Sequence, residues 1–184
     1  MTLKDLNIDK TWTLFLDRDG VINKKLEDDY VKHTTEFEFI DGSLNALRML
    51  DPVFGNIVVV TNQQCIGKKI IFPEDLELIH QNMLYEISYL KGRIDKIYYS
   101  PYLAAENHPT RKPAIGMALQ AQKDFPAIDF SKSIIVGDSL SDMEFGRNAG
   151  MKTVYISHEA KEDTRIDYNF KSLIYFAHTL TTKV

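Results

Sequence analysis

Residues 14–23 read LFLDRDGVIN. Three apolar residues run straight into two aspartates one residue apart, and a glycine follows. With Trp12 just ahead, the run Trp12, Leu14, Phe15, Leu16 predicts a buried strand, because it is short, apolar and aromatic-rich. Asp17 then falls at the strand's C-terminal end, and Gly20 permits a tight exit. In an open parallel α/β sheet, ligands gather at that edge. Two carboxylates placed there can divide work, one as nucleophile or metal ligand and one as general acid/base. The plain alternative is a turn, since Asp and Gly are turn residues. The rest of the chain decides between the two.

Further apolar runs recur at 58–60, 94–99, 133–136 and 153–156, with a short one near 166–170. Helical patterns lie between them. Leu44, Leu47 and Leu50 keep helical spacing, as do Leu76, Ile79, Met83, Ile87 and Leu90 in a segment that opens with Pro73. Pro113 is expected to open another helix, carrying Ile115, Ala118 and Leu119. Ser139-Leu-Ser-Asp142 has the form of a capping box, with Asp as its acid. The segment 168–180 is expected to pack a strand and a helix on the core. This alternation predicts a doubly wound, Rossmann-like parallel sheet with helices on both faces. Two polar segments break it, 24–39 and 101–112; both follow a strand, so both can cover the same sheet edge. The first is too short for a helical cap, so a large cap domain is not expected.

The chain has 184 residues, which suits one domain over 1–184 with a sizeable core. Its 44% hydrophobic and 26% charged content is ordinary for a globular protein. A net charge of −4 argues against a nucleic-acid or anionic-membrane surface. The single cysteine, Cys65, excludes an internal disulfide and fits a reducing compartment. It reads as a small apolar residue. No signal-peptide or transmembrane pattern is present, so a cytoplasmic protein is expected, as a monomer or weak homo-oligomer. The histidines His33, His80, His158 and His178 are expected on the surface or on helix faces.

Four elements are expected at one edge of the sheet: Asp17-Arg-Asp19-Gly20, Thr61-Asn62-Gln63, Arg111-Lys112-Pro113 and Gly137-Asp138-Ser139-Leu-Ser-Asp142. Their inventory is carboxylates, a hydroxyl, amides and cations. Carboxylates suit Mg²⁺, which takes few protein ligands and keeps waters and phosphate oxygens. A lysine and a helix N-terminus suit a phosphoryl group. Together they point to phosphoryl transfer.

In this order the four elements resemble the haloacid dehalogenase superfamily of aspartate-nucleophile phosphatases. The wording FLDRDGVIN, FEFIDG, VVVTNQ, RKP and VGD is similar to the branch that holds heptose bisphosphate phosphatases and histidinol phosphatases. The resemblance implies that Asp17 attacks phosphorus while Asp19 protonates the leaving oxygen and then activates water. It implies that Thr61 bonds the transferring phosphoryl and Lys112 balances its charge. Mg²⁺ would be held by Asp17, the Asp19 carbonyl and Asp138, with Asp142 behind them or orienting Lys112. Asn23, Tyr30, Asn62, Gln63 and Arg111 would contact substrate. The implied substrate is a small phosphate ester, foremost a heptose 1,7-bisphosphate losing its 7-phosphate, with histidinol phosphate as the alternative. A non-catalytic phosphosugar-binding relative would lack Asp17, Asp19 or Lys112, and all three are present.

The chain departs from that pattern in two places. Where many members carry a C-x-H and a C-x-C pair for structural zinc, it has Ser100-Pro101-Tyr102 and His108-Pro109-Thr110. One His cannot supply the four donors such a site needs, so no zinc is expected. Ser139 also stands where heptose-type members usually have lysine.

Overall fold

The strand that carries the DRDG stretch lies near the middle of a six-stranded sheet. A computed structural model describes residues 2–182. The strands are β1 (Thr13–Leu16), β2 (Asn56–Asn62), β3 (Lys96–Ser100), β4 (Ser133–Gly137), β5 (Lys152–Ile156) and β6 (Tyr168–Phe170), in spatial order β3-β2-β1-β4-β5-β6. Every adjacent pair is parallel. The helices are α1 (Ser43–Leu50), α2 (Gln64–Gly67), α3 (Pro73–Tyr89), α4 (Gly116–Asp124), α5 (Leu140–Ala149) and α6 (Leu173–Thr181). Trp12 is buried but ends just short of β1.

Alternation along β1 assigns the two faces, because successive strand side chains point to opposite sides. Leu14 and Leu16 join Ile57, Val59, Ile134 and Val136 in one core cluster, with Leu47 and Leu50 of α1, Met83 and Ile87 of α3 and Phe176 of α6. Phe15 joins Val58, Val60 and Ile135 in the other, with Met117 and Ala121 of α4 and Phe145 of α5. Leu14, Phe15 and Leu16 are all fully buried. Each such side chain contributes about 1.5–3 kcal/mol, which offsets the cost of holding a carboxylate at the strand end.

The register sets the site. Leu16 pairs with Val59 on one side and with Val136 on the other. Asp17, the Thr61 end of β2 and Asp138 therefore come to the same edge. The chain order runs β1-β2-β3 one way and β4-β5-β6 the other, so β1 lies at the switch in direction where open α/β sheets bind ligands. The segment between β1 and α1 holds a short 3₁₀ turn at Thr34–Glu36, which agrees with the absence of a helical cap.

Two helix expectations need correction. The fourth helix opens at Gly116, not at Pro113. Residues 109–116 form a turn closed by the Gly116 N–H donating to the Pro109 carbonyl, with Ala114 N–H donating to the Arg111 carbonyl. A residue before proline is pushed away from helical dihedrals, and here that frees Lys112 to point into the sheet edge. Leu90 caps α3 from outside and is exposed, whereas His80 is buried on that helix's inner face.

Candidate active site

Gly20 opens the construction. Its φ is +87°, and a Cβ there would lie 2.2 Å from Asp138 Oδ2. Only glycine lets the β1 exit turn pass this close to the carboxylate that follows β4. The turn folds back through Ile22 N–H to the Arg18 carbonyl (2.8 Å) and Gly20 N–H to the Asn23 carbonyl (2.8 Å). A cleft of about 220 Å³ lies over it, lined by Asp17, Asp19, Thr61, Lys112, Asp138 and Asp142 among others.

Three carboxylates, Asp17, Asp138 and Asp142, bring oxygens within 4.8 Å of one another. Lys112 enters between two of them. Its ammonium lies 2.9 Å from Asp17 Oδ1 and 2.5 Å from Asp142 Oδ1, and donates to the Val60 carbonyl at 2.8 Å. The Lys112 side chain is 1% exposed and that of Asp142 is 0% exposed, so this is a dry ion cluster. Burial lowers the lysine pKa, but Asp142 and Asp17 outweigh it and hold the ammonium charged. Burial first, and Asp142 second, push the Asp17 carboxyl up to about 7 against the pull of Lys112. Asp142 is also the acid of the expected capping box: it accepts from Ser139 N–H at 3.1 Å, and Ser139 Oγ accepts from Asp142 N–H.

Asp19 sits in a different environment. Its Oδ1 accepts from Arg18 Nη2 and Asn23 Nδ2, both at 2.9 Å, and its Oδ2 accepts from Gln63 Nε2 at 2.8 Å. Burial alone would raise its pKa, yet the Arg18 charge and these hydrogen bonds hold it below the ordinary carboxylate value. Two aspartates one residue apart are thus driven in opposite directions by their surroundings.

The remaining expected residues divide. Thr61 is buried in the cleft wall, and its hydroxyl accepts from Gln63 Nε2 at 2.9 Å. Asn62 clamps the Lys112 backbone, donating to its carbonyl and accepting its N–H at 3.1 and 3.0 Å. Tyr30 lines the cleft, with its hydroxyl held by Gln64 and Lys68. Asn23 is fully buried and turned onto Asp19, so it lies behind that carboxylate rather than in the cleft. Arg111 is also outside the lining; its guanidinium donates to the Tyr102 carbonyl at 2.9 Å.

The lining also includes Arg18, Lys25 and Ser141, which sequence reasoning does not single out. Arg18 and Lys25 supply charge, the latter bonding Asp138 Oδ2 at 2.9 Å with its own side chain 57% exposed. Ser141 neighbours the α5 cap. Cys65 is buried, and its thiol donates to Gln63 Oε1. Burial raises its pKa, which suits an inert side chain rather than a nucleophile.

In the 101–112 loop, the side chains at the four positions of the C-x-H and C-x-C pairs still meet. Ser100 and Thr110 hydroxyls are 3.2 Å apart, His108 Nδ1 is 2.8 Å from Thr110 Oγ1, and the Tyr102 and His108 rings stack with centroids 3.4 Å apart. Hydroxyls at two of the thiolate positions and a phenol at the imidazole position make a poor zinc donor set. Elemental analysis is expected to find no stoichiometric zinc; one zinc per chain would contradict this reading of the loop.

His80 is 4% exposed and bonds Arg18. Burial first, and the Arg18 charge second, lower its pKa from 6.5 to about 3, with Asp19 opposing weakly. The unfolded chain therefore binds more protons than the fold between those values, and stability falls as pH drops below 6.5. The slope from this one group is at most about 1.4 kcal/mol per pH unit. Between pH 6.5 and 5, denaturant unfolding of the wild type should lose about 1–2 kcal/mol more than His80→Gln. Equal losses would mean that His80 protonates within the fold.

A parallel sheet with paired aspartates after its first strand, a hydroxyl at the end of the second and a buried lysine facing them defines a hydrolase of the haloacid dehalogenase type. The chain belongs to the polynucleotide kinase 3 phosphatase family, whose profile matches residues 12–181. It is 38% identical over 164 residues to D-glycero-alpha-D-manno-heptose-1,7-bisphosphate 7-phosphatase of Campylobacter jejuni, covering 89% of this chain and 92% of that one. It is 38% identical over 137 residues to the enzyme of the same name from Mycobacterium bovis, covering 74% and 72%. The fold is similar to the solved structure of D,D-heptose 1,7-bisphosphate phosphatase from B. bronchiseptica complexed with magnesium and phosphate. There the TM-score is 0.83 at 25% identity, over 92% of this chain and 97% of that one.

Proposed function

We propose that this chain is a Mg²⁺-dependent phosphomonoesterase that forms an aspartyl-phosphate on Asp17 and removes the 7-phosphate of D-glycero-D-manno-heptose 1,7-bisphosphate. The observation that carries the chemistry is the dry Asp17–Lys112–Asp142 cluster beside a separately held Asp19. The substrate rests on likeness to the Campylobacter jejuni enzyme across nearly the whole of both chains.

The phosphoryl group sits against Asp17, with the Thr61 hydroxyl donating to its oxygens and the Lys112 ammonium beside Asp17 balancing their charge. An Asp17 oxygen attacks phosphorus as the ester oxygen departs. Asp19 gives that oxygen a proton, then takes one from the water that attacks the phosphorus of the aspartyl-phosphate. Phosphate leaves and Asp17 is regenerated. Asp19 is ionised in the free protein; the arriving phosphate dianion raises its pKa and favours the protonated form that the first step needs.

The donor set fits a divalent cation. Asp138 Oδ1 is buried with no partner, and the clustered carboxylates are hard oxygen ligands. Asp17, Asp138 and the Asp19 carbonyl are the groups that would hold it, since Asp142 is committed to Lys112 and to the α5 cap. Bound Mg²⁺ lets an anionic nucleophile approach an anionic phosphate.

The test is a phosphate-release screen with Mg²⁺ over phosphorylated metabolites, including both heptose bisphosphate anomers and histidinol phosphate. A clear kcat/KM preference for a heptose bisphosphate is expected. Preference for histidinol phosphate would keep the chemistry and discard the substrate. EDTA should arrest release and Mg²⁺ restore it; EDTA-resistant hydrolysis would contradict the metal requirement.

A further inference from the structure

Arg18, the residue between the two aspartates, is 1% exposed, and its guanidinium reaches two groups from different parts of the fold. Nη2 donates to Asp19 Oδ1 at 2.9 Å, and Nη1 lies 3.1 Å from His80 Nε2 on α3. The Phe37 ring lies 5.9 Å from its Cζ, and its Nε has no partner. Arginine carries donors only, so His80 Nε2 must accept. The imidazole is therefore neutral, with its proton on Nδ1. The low His80 pKa agrees with that state.

The oxygens of Asp19 are not equivalent. Oδ1 accepts two hydrogen bonds, from Arg18 and Asn23, which fills its two lone-pair directions. Oδ2 accepts one, from Gln63, and keeps one direction open.

We propose that His80 and Arg18 are positioning residues for proton transfer: the neutral imidazole anchors the guanidinium, which pins Asp19 Oδ1 and leaves Oδ2 to carry the proton to the leaving oxygen. This rests on the reading of Asp19 as general acid/base. A general acid works only within hydrogen-bond reach of its target, and misplacement of about 1 Å costs about 100-fold. His80 touches neither substrate nor the reacting atoms; it acts through Arg18.

The experiment compares kcat/KM for an alkyl phosphate with that for p-nitrophenyl phosphate. This parameter reports steps up to departure of the leaving group. An alkoxide needs a proton as it leaves and p-nitrophenolate does not, so the ratio reads the acid step. A general loss of structure lowers both values alike. In His80→Phe, which keeps a ring but no acceptor, the alkyl to p-nitrophenyl ratio is expected to fall about tenfold or more. Arg18→Lys keeps the charge beside Asp19 without bridging to His80, and should show the same fall. His80→Gln supplies an amide oxygen as acceptor and should stay within about threefold of the wild-type ratio. Asp19→Asn provides the upper limit of the effect.

An unchanged ratio in folded His80→Phe overturns the proposal, as does a His80→Gln ratio depressed as far as that of His80→Phe. Should His80→Phe fail to fold, Arg18→Lys decides by the same ratio. Wild-type protein that releases phosphate from neither ester nor from a heptose bisphosphate would overturn the phosphatase reading itself, whereas an active wild type without the ratio change removes only the positioning role.

Discussion

Asp17→Asn is expected to lower phosphate release by at least about 10³-fold while leaving the protein folded, the scale on which loss of a covalent nucleophile acts. The amide that replaces the carboxylate has no anionic oxygen to attack phosphorus, but its carbonyl can still accept. Asp17 Oδ1 takes the Arg18 N–H at 2.8 Å and lies 2.9 Å from the Lys112 ammonium, and a neutral oxygen can keep both contacts. Asp17 is also crowded by Asp142 and Asp138, and burial disfavours its charge. Removing that charge relieves repulsion, so the thermal midpoint in metal-free buffer should stay level or rise. Retention of near-native rates would exclude Asp17 as nucleophile. A large fall in the midpoint would mean that its charge, rather than its shape, stabilises the site.

Lys112→Met should be the most destabilising single change at the site. It keeps the aliphatic stem and removes the only cation within ion-pair distance of the fully buried Asp142 among the described residues. Breaking a buried pair by deleting one partner costs about 3–5 kcal/mol, because the remaining charge is left uncompensated. For a chain of this size that is roughly 6–20 °C in thermal midpoint. Activity should be lost as well, since the transferring phosphoryl loses its counter-charge. The two losses separate in the double variant Lys112→Met/Asp142→Asn. Removing both charges of a buried pair is often close to neutral, so stability should largely return while activity does not. A double variant as unstable as Lys112→Met would mean that the lysine's bond to the Val60 carbonyl, rather than the ion pair, holds the edge together.

Much of the candidate site is legible along the chain because most of its residues stand at or just past the end of a strand. Asp17 follows the apolar run of β1, Thr61 ends that of β2, and Asp138 follows β4. A strand's alternation fixes direction, so the residue after its last buried position must arrive at the sheet edge. The capping box from Ser139 to Asp142 was equally local, because its bonds span three residues. His80 could have been found by the same logic. With Leu76, Ile79, Met83 and Ile87 it completes the buried stripe of α3, so a polar residue there needed a buried partner.

Where a polar side chain turns is less legible, because its partner is set by the path of the turn or by packing. Asn23 carries a polar group that sequence places near substrate, but the turn's return path aims it at Asp19. Arg111 sits beside Lys112 in the chain, yet it faces the Tyr102 carbonyl. Lys25 reaches an aspartate 113 residues away, and Arg18 a histidine 62 residues away.

The parallel sheet, the edge where chemistry gathers and the carboxylates, hydroxyl and lysine that stand there can be read along the chain. Those follow from periodicity and from which residue comes next after a buried run. Which of the two aspartates is held ionised, which carboxylates share the lysine, and that a helix more than sixty residues on anchors the arginine between them emerge with the packed fold. The reason is physical: periodicity is a property of neighbours along the chain. A carboxyl's charge state depends on burial and on the charges within a few ångströms, and the packing of helices on the sheet supplies both.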